Sequence, residues 1–172
     1  MANRYITKIC DLLSSEFRNS QELCLRETQA DMSIPINKGG VSYVSFSYDK
    51  RINGKHKDLF PFFVKKTGVH AMCDYILFCE YDSKLFILLI ELKRGHDEVM
   101  TQLNAGKCFA QFIISTFNRI ENCQLKPEIR LISIRNIHIV KKGPIQCKDV
   151  RYDKNNFYTF EGNTFFIKQF LH

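Results

Sequence analysis

The chain has 172 residues, 45% of them apolar, and a formal net charge of +7. That length suits one domain with a sizeable core. No apolar run approaches the roughly 20 residues that span a bilayer. The first residues, MANRYITKICDLL, mix acidic and polar side chains into an amphipathic pattern rather than a signal peptide.

Seven cysteines stand at 10, 24, 73, 79, 108, 123 and 147. The number is odd and no Cys-x-x-Cys pair occurs, which argues against a zinc ribbon and against a disulfide framework. A reducing, intracellular and cytoplasmic setting is expected. The positive charge suits a polyanion such as nucleic acid.

In chain order, Tyr5 to Phe17 places Ile6, Ile9, Cys10, Leu13 and Phe17 at helical spacing, with Asn3 as N-cap and Glu16 beside the stripe. Residues 20–31 read either as a short helix or, over Leu23 to Glu27, as extended chain. Ser33 to Gly40 reads as a loop and Val41 to Tyr48 as a strand. Asn53-Gly54 signals a two-residue hairpin turn. Lys50, Arg51, Lys55 and Lys57 around it form a candidate phosphate-contacting flap, because such contacts come from Lys and Arg on exposed loops.

Two strands follow, about 73–81 and 85–93, apolar on both faces as central strands of a covered sheet are. The charges at the hairpin tip, Glu80, Asp82 and Lys84, read as ordinary solvated groups. A helix is expected from about 97 to 120, with a stripe of Val99, Leu103, Phe109, Ile113, Phe117 and Ile120. Ile129 to Val140 reads as a strand, and Phe157 to Leu171 as a hairpin about Glu161-Gly162-Asn163. The sum is a single α/β (α+β) domain over 1–172, a central mixed β-sheet flanked by helices, with its core at about 4–140.

The chemistry concentrates between Cys73 and Gln102. Asp74 opens one apolar strand, and the next ends in Glu91-Leu92-Lys93. Burying an ion without a partner is costly, so charges placed there call for a task. Side chains alternate along a strand, so Glu91 and Lys93 share a face. A two-residue loop at Ser83-Lys84, or a four-residue loop at 82–85, puts Asp74 on that face as well, across from Lys93 and diagonal to Glu91. A three-residue loop would put it on the other face. The even-loop register is expected. Asp74 and Glu91 then form a site for Mg²⁺ or Mn²⁺, which take hard oxygen ligands, with the Leu92 carbonyl as a third ligand. Lys93 would orient a water or stabilise phosphorane charge. His70, four residues before Asp74, is a weaker candidate ligand or proton shuttle.

Asp74, a gap of 16 residues, and Glu91-Leu92-Lys93 at a strand end resemble the core motif of the PD-(D/E)XK (restriction-endonuclease-like) nuclease superfamily. The proline of that name is absent, since Cys73 precedes Asp74. The superfamily has a helix before the motif strands, then a helix and a strand after them, the order read here. The resemblance implies metal binding by Asp74 and Glu91 and catalytic assistance from Lys93. It also implies an acid on the first helix completing the metal site, with Glu16 first and Glu22 and Glu27 as rivals. A glutamine on the following helix is implied too, with Gln102 ahead of Gln111. The expected function is a Mg²⁺- or Mn²⁺-dependent endonuclease acting on DNA ahead of RNA, in which a homodimer would supply the two sites that a duplex cut requires. The alternative is a catalytically inactive module of the same fold that binds nucleic acid or a protein partner.

Overall fold

The structure is a computed structural model that describes residues 4–19, 23–28, 31–48, 51–52, 55–56, 62–64, 66–93, 99–135 and 149–172, with backbone only at 51–52 and 55–56. Helix α1 (Arg4–Leu12) is followed by a 3₁₀ turn at Ser15–Phe17 and strands β1 (Cys24–Glu27), β2 (Met32–Asn37) and β3 (Ser42–Phe46). The short strands β4 (Arg51–Ile52) and β5 (Lys55–His56) precede β6 (Tyr75–Tyr81) and β7 (Lys84–Lys93). Then come α2 (Met100–Glu121), β8 (Glu128–Arg135), β9 (Phe157–Glu161), β10 (Phe165–Phe166) and a 3₁₀ turn at Ile167–Phe170.

Five strands form a mixed sheet in the order β3-β6-β7-β8-β9. The pairs β3–β6 and β6–β7 are antiparallel, whereas β7–β8 and β8–β9 are parallel. Helix α2 is the crossover between the parallel strands β7 and β8. Both helices cover one face, where Ile6, Ile9, Leu103, Ala110, Ile113 and Phe117 pack on Ile76, Phe78, Ile87 and Leu89. The other face packs Leu77, Leu88, Ile90 and Ile134 against Leu25, Ile34, Phe165 and Phe170. The expected flanking by helices therefore holds for one face only. The second face is covered by a small sheet, β1-β2-β10.

Three expectations are corrected. Met32–Asn37 is a strand and not a loop. Its alternation buries Met32, Ile34 and Ile36 and leaves Ser33, Pro35 and Asn37 exposed, a period-2 pattern that Pro and Asn disguise. Pro35 is tolerated because Ile36 directs its N–H to β1, at the Leu23 carbonyl, and β10 pairs with β2 only from Ile36 onward. The tail is not a hairpin: β9 joins β8 in the large sheet and β10 joins β2 in the small one, which lets Phe165, Ile167 and Phe170 enter the core. Third, α1 ends at Leu12, so Glu16 sits in the 3₁₀ turn rather than on a helix.

Helix α2 begins at Met100; residues 94–98, where its start was expected, lie outside the described residues. Ile120 is 54% exposed and leaves the expected stripe, while Gly106 and Ala110 occupy the line of closest approach to the sheet. The Asn53-Gly54 turn itself and residues 136–148 are also outside the described residues, but the flanking pairs Arg51↔His56 and Ile52↔Lys55 are those of a two-residue hairpin.

Candidate active site

The β6–β7 hairpin turns at Asp82-Ser83, both at positive φ (48° and 61°), the type I′ pattern whose twist suits a two-residue loop. Tyr81 pairs with Lys84, and the ladder runs to Tyr75↔Ile90. The even parity expected from the sequence holds, but the turn sits one residue earlier. Each partner therefore moves by two: the ladder continued one step past Tyr75↔Ile90 sets Asp74 level with Glu91, not with Lys93. Directly opposed residues have Cβ atoms about 4.5–5.5 Å apart, closer than the diagonal placement expected.

The two carboxylates close the end of the ladder. Leu92 N–H donates to Asp74 Oδ2 at 2.7 Å, and Asp74 N–H donates to Glu91 Oε2 at 3.3 Å. Lys93 Nζ lies 3.1 Å from Glu91 Oε1 on the same face. Glu91 is only 3% exposed, whereas Asp74 and Lys93 are half-buried. The N–H of Leu92 points toward β6, and a residue in an extended strand directs its C=O to the same side. The Leu92 carbonyl is thus presented on the Asp74 side.

Burial and the neighbouring Glu91 charge push the Asp74 carboxyl up to about 8, against the pull of the Leu92 N–H and of Lys93. Burial also raises Glu91, opposed by the hydrogen bond and charge of Lys93. Two acids held this closely out of water resist joint ionisation, which a cation between them would relieve. Their oxygens and the Leu92 carbonyl are hard donors of the kind Mg²⁺ and Mn²⁺ take. No group of three or more His, Cys, Asp or Glu side chains suited to a metal occurs among the described residues. A cation here would therefore lean on two carboxylates, backbone and water.

The remaining candidates sort clearly. Glu16 is exposed. The Arg18↔Phe46 bridge and the bond from Ser47 N–H to the Phe17 carbonyl carry its segment along β3 toward the Asp74 end of the sheet. Its rival Glu27 ends β1, next to Arg26, whose backbone N–H and C=O both bond the Tyr75 hydroxyl at 2.8 Å. Glu27 lies close enough for its charge to raise both Asp74 and Glu91. Gln102 is half-buried, one turn before Gly106, whose place on the helix faces Cys73 and Leu89; Gln111 is exposed further along. His70 is engaged in its own loop, with Nε2 at 3.2 Å from the Val64 carbonyl and the ring edge-on to Phe63. Lys50 and Lys57 lie outside the described residues, and Arg51 and Lys55 are described only as strand backbone.

Sequence reading missed two neighbours of the pair. Continuing the β3–β6 register by two residues brings Tyr48 level with Asp74. Tyr48 is 5% exposed, stacks on Phe17, and its hydroxyl has no hydrogen bond. On the other side Ser133 pairs with Glu91, fully buried and with its Oγ also unbonded. A polar row thus crosses four strands: Tyr48, Asp74, Glu91, Ser133. The signal was the register, which a single hairpin does not disclose. Glu80 was misread: it accepts from Tyr5 N–H at 3.0 Å and Ile6 N–H at 3.4 Å, closing the amino end of α1.

No family model, no curated protein and no solved structure matches the chain.

Proposed function

We propose that the chain is a divalent-cation-dependent nuclease that hydrolyses phosphodiester bonds, in DNA ahead of RNA. The observation that carries this reading is the Asp74–Glu91 pair, joined by the Asp74 N–H on Glu91 Oε2 at 3.3 Å, with Lys93 on Glu91 Oε1 at 3.1 Å. With the small-sheet strands β1 and β2 and the β4–β5 pair left aside, the element order α1, β3, β6, β7, α2, β8 supports it, since it resembles the helix, motif strands, helix and strand order of restriction-endonuclease-like nucleases.

Asp74, Glu91 and the Leu92 carbonyl would hold Mg²⁺ or Mn²⁺. A bound ion of this kind supplies Lewis-acid polarisation of a phosphoryl oxygen and a more acidic water. The chain's own residues do the rest. Lys93 holds a positive charge beside the carboxylates, where it orients the attacking water and balances charge developing on the phosphoryl oxygens. Gln102, half-buried in the first turn of α2, would help to fix that water. Burial limits solvent around the pair, most of all at Glu91. The net charge of +7 favours a polyanionic substrate.

The test is incubation of plasmid and linear DNA with Mg²⁺ or Mn²⁺. Cleavage is expected, and Asp74→Ala, Glu91→Ala and Lys93→Ala should each abolish it. Cleavage that survives Glu91→Ala would overturn the assignment.

A further inference from the structure

The chain between β3 and β6 carries a second feature. Phe62 and Phe63 are 74% and 49% exposed, with ring centroids 4.7 Å apart, and Val64 beside them is exposed too. Presenting adjacent phenylalanines to water forfeits their burial, and clusters of exposed apolar side chains mark interaction sites. The segment around them is folded. Lys66 N–H bonds the Val64 carbonyl at 2.9 Å, Val69 N–H bonds the Lys66 carbonyl at 3.1 Å, and His70 holds both Val64 and the Phe63 ring.

Two observations identify the occupant. The first is charge. The sequence on either side of the aromatic pair is KRINGKHK and KK, a run of Lys and Arg with aromatic residues between. Lys and Arg close in sequence to exposed aromatic side chains are the residue types that grip a phosphate backbone and stack its bases. The second is continuity with the carboxylate pair. Only three residues separate His70 from Asp74, a span of at most about 14 Å. The Phe63 ring lies 6.4 Å from the His70 ring. A strand lying on the aromatic pair therefore reaches the carboxylates within about seven stacked nucleotides at roughly 3.4 Å each.

We infer that Phe62 and Phe63 form a stacking platform for unpaired nucleobases, so that the substrate is single-stranded DNA or the open end or junction of a duplex. Bases inside an intact duplex already stack on one another and expose no face to the rings. The inference rests on the nuclease reading for its consequence in cleavage, but base stacking is measurable without any cleavage.

The chain contains no tryptophan, so Phe62→Trp installs a single fluorescent reporter at an exposed position. It is titrated, in EDTA, with a thymidine oligonucleotide of about 20 residues, with a blunt duplex of the same length, and with phosphatidylserine-containing vesicles. Quenching by the single strand, weaker with the duplex, is the expected result. The double variant Phe62→Ala/Phe63→Ala should weaken single-strand binding, read by anisotropy, at least about five-fold, the low end for one stacked base. Unchanged emission at saturating oligonucleotide, no oligonucleotide binding, or a blue shift with vesicles alone would each overturn the platform. Cleavage by the wild type that Glu91→Gln abolishes reports separately on the nuclease reading. An active enzyme with an unquenched reporter refutes only the platform, and a quenched reporter on an inert protein refutes only the nuclease.

Discussion

Asp74 and Glu91 are joined at the end of the β6–β7 ladder: the Asp74 N–H donates to Glu91 Oε2, and the Asp74 carboxylate accepts from the N–H of Leu92, the residue after Glu91. The two acids replace the next rungs of the ladder. They are held by main-chain geometry rather than by free rotamers, the preorganisation that a cation site needs.

This arrangement predicts how stability follows pH without metal. The Asp74 pKa rises from 3.8 to about 8 on folding, so between those values the native state binds more protons than the unfolded chain. Stability must then fall as pH rises through that window. Asp74→Asn keeps an acceptor for Leu92 N–H and removes the charge. Its Tm should match the wild type only below about pH 3.8, exceed it modestly near pH 5 and exceed it most near pH 8. Thermal melts in EDTA across this range check it, and a wild type that gains stability toward pH 8 relative to Asp74→Asn contradicts it.

Cation binding should carry the same signature. A carboxyl that holds a proton at neutral pH must release it to ligate, so affinity for Mn²⁺ should rise with pH and binding should expel protons. Calorimetry in two buffers of different ionisation enthalpy measures the proton count. Glu91→Gln should lower the affinity at least about ten-fold, the scale of losing a tuned ligand. Absence of any Mg²⁺ or Mn²⁺ heat, with salt-dependent DNA binding kept, would favour the inactive binding module instead.

Much of this site was legible in the residues, and the reasons are local. Asp74 and Glu91-Leu92-Lys93 announce themselves because charge interrupts two apolar runs, and period-2 alternation fixes Glu91 and Lys93 on one face. The pairing partner was not legible, because it depends on Asp82 and Ser83 taking left-handed backbone, which neither residue demands as glycine would. Tyr48, Ser133 and Glu27 reach the site only through strand order and through β1 docking on Tyr75, both long-range properties. The strand at Met32–Asn37 and the split tail were hidden for a similar reason. Their burial is set by a second sheet that no single segment encodes.

Glu80 illustrates the same point and makes its own prediction. Its carboxylate caps two N–H groups at the start of α1, 74 or more residues away in sequence. Glu80→Ala should destabilise the fold by about 1 kcal/mol, the usual worth of an N-terminal cap, and leave cleavage per folded molecule unchanged. Glu80→Gln, which keeps an acceptor without the charge, should lie between. Urea melts measure both, and a wild-type midpoint for Glu80→Ala would show that the contact contributes nothing.

The closest approach of α2 to the sheet provides the sharpest structural test. A Cβ added at Gly106 would stand 2.4 Å from Cys73 Sγ and 3.4 Å from its Cβ. Cys73 is fully buried among close-packed neighbours, so the sulfur, α2 or the chain entering β6 must shift at a cost. Gly106→Ala should cost about 1–3 kcal/mol through overpacking, although alanine is the better helix former. Cys73 immediately precedes Asp74, so the displacement should also reach the carboxylate pair and lower Mn²⁺ affinity. Cys73→Ala removes the clashing sulfur. Combined with Gly106→Ala, it should recover part of the stability and of the affinity, giving a coupling energy of about 1 kcal/mol or more in a double-mutant cycle. Strict additivity of the two substitutions would mean that Gly106 and Cys73 do not share this contact, and the placement of α2 against Cys73 would fall with it.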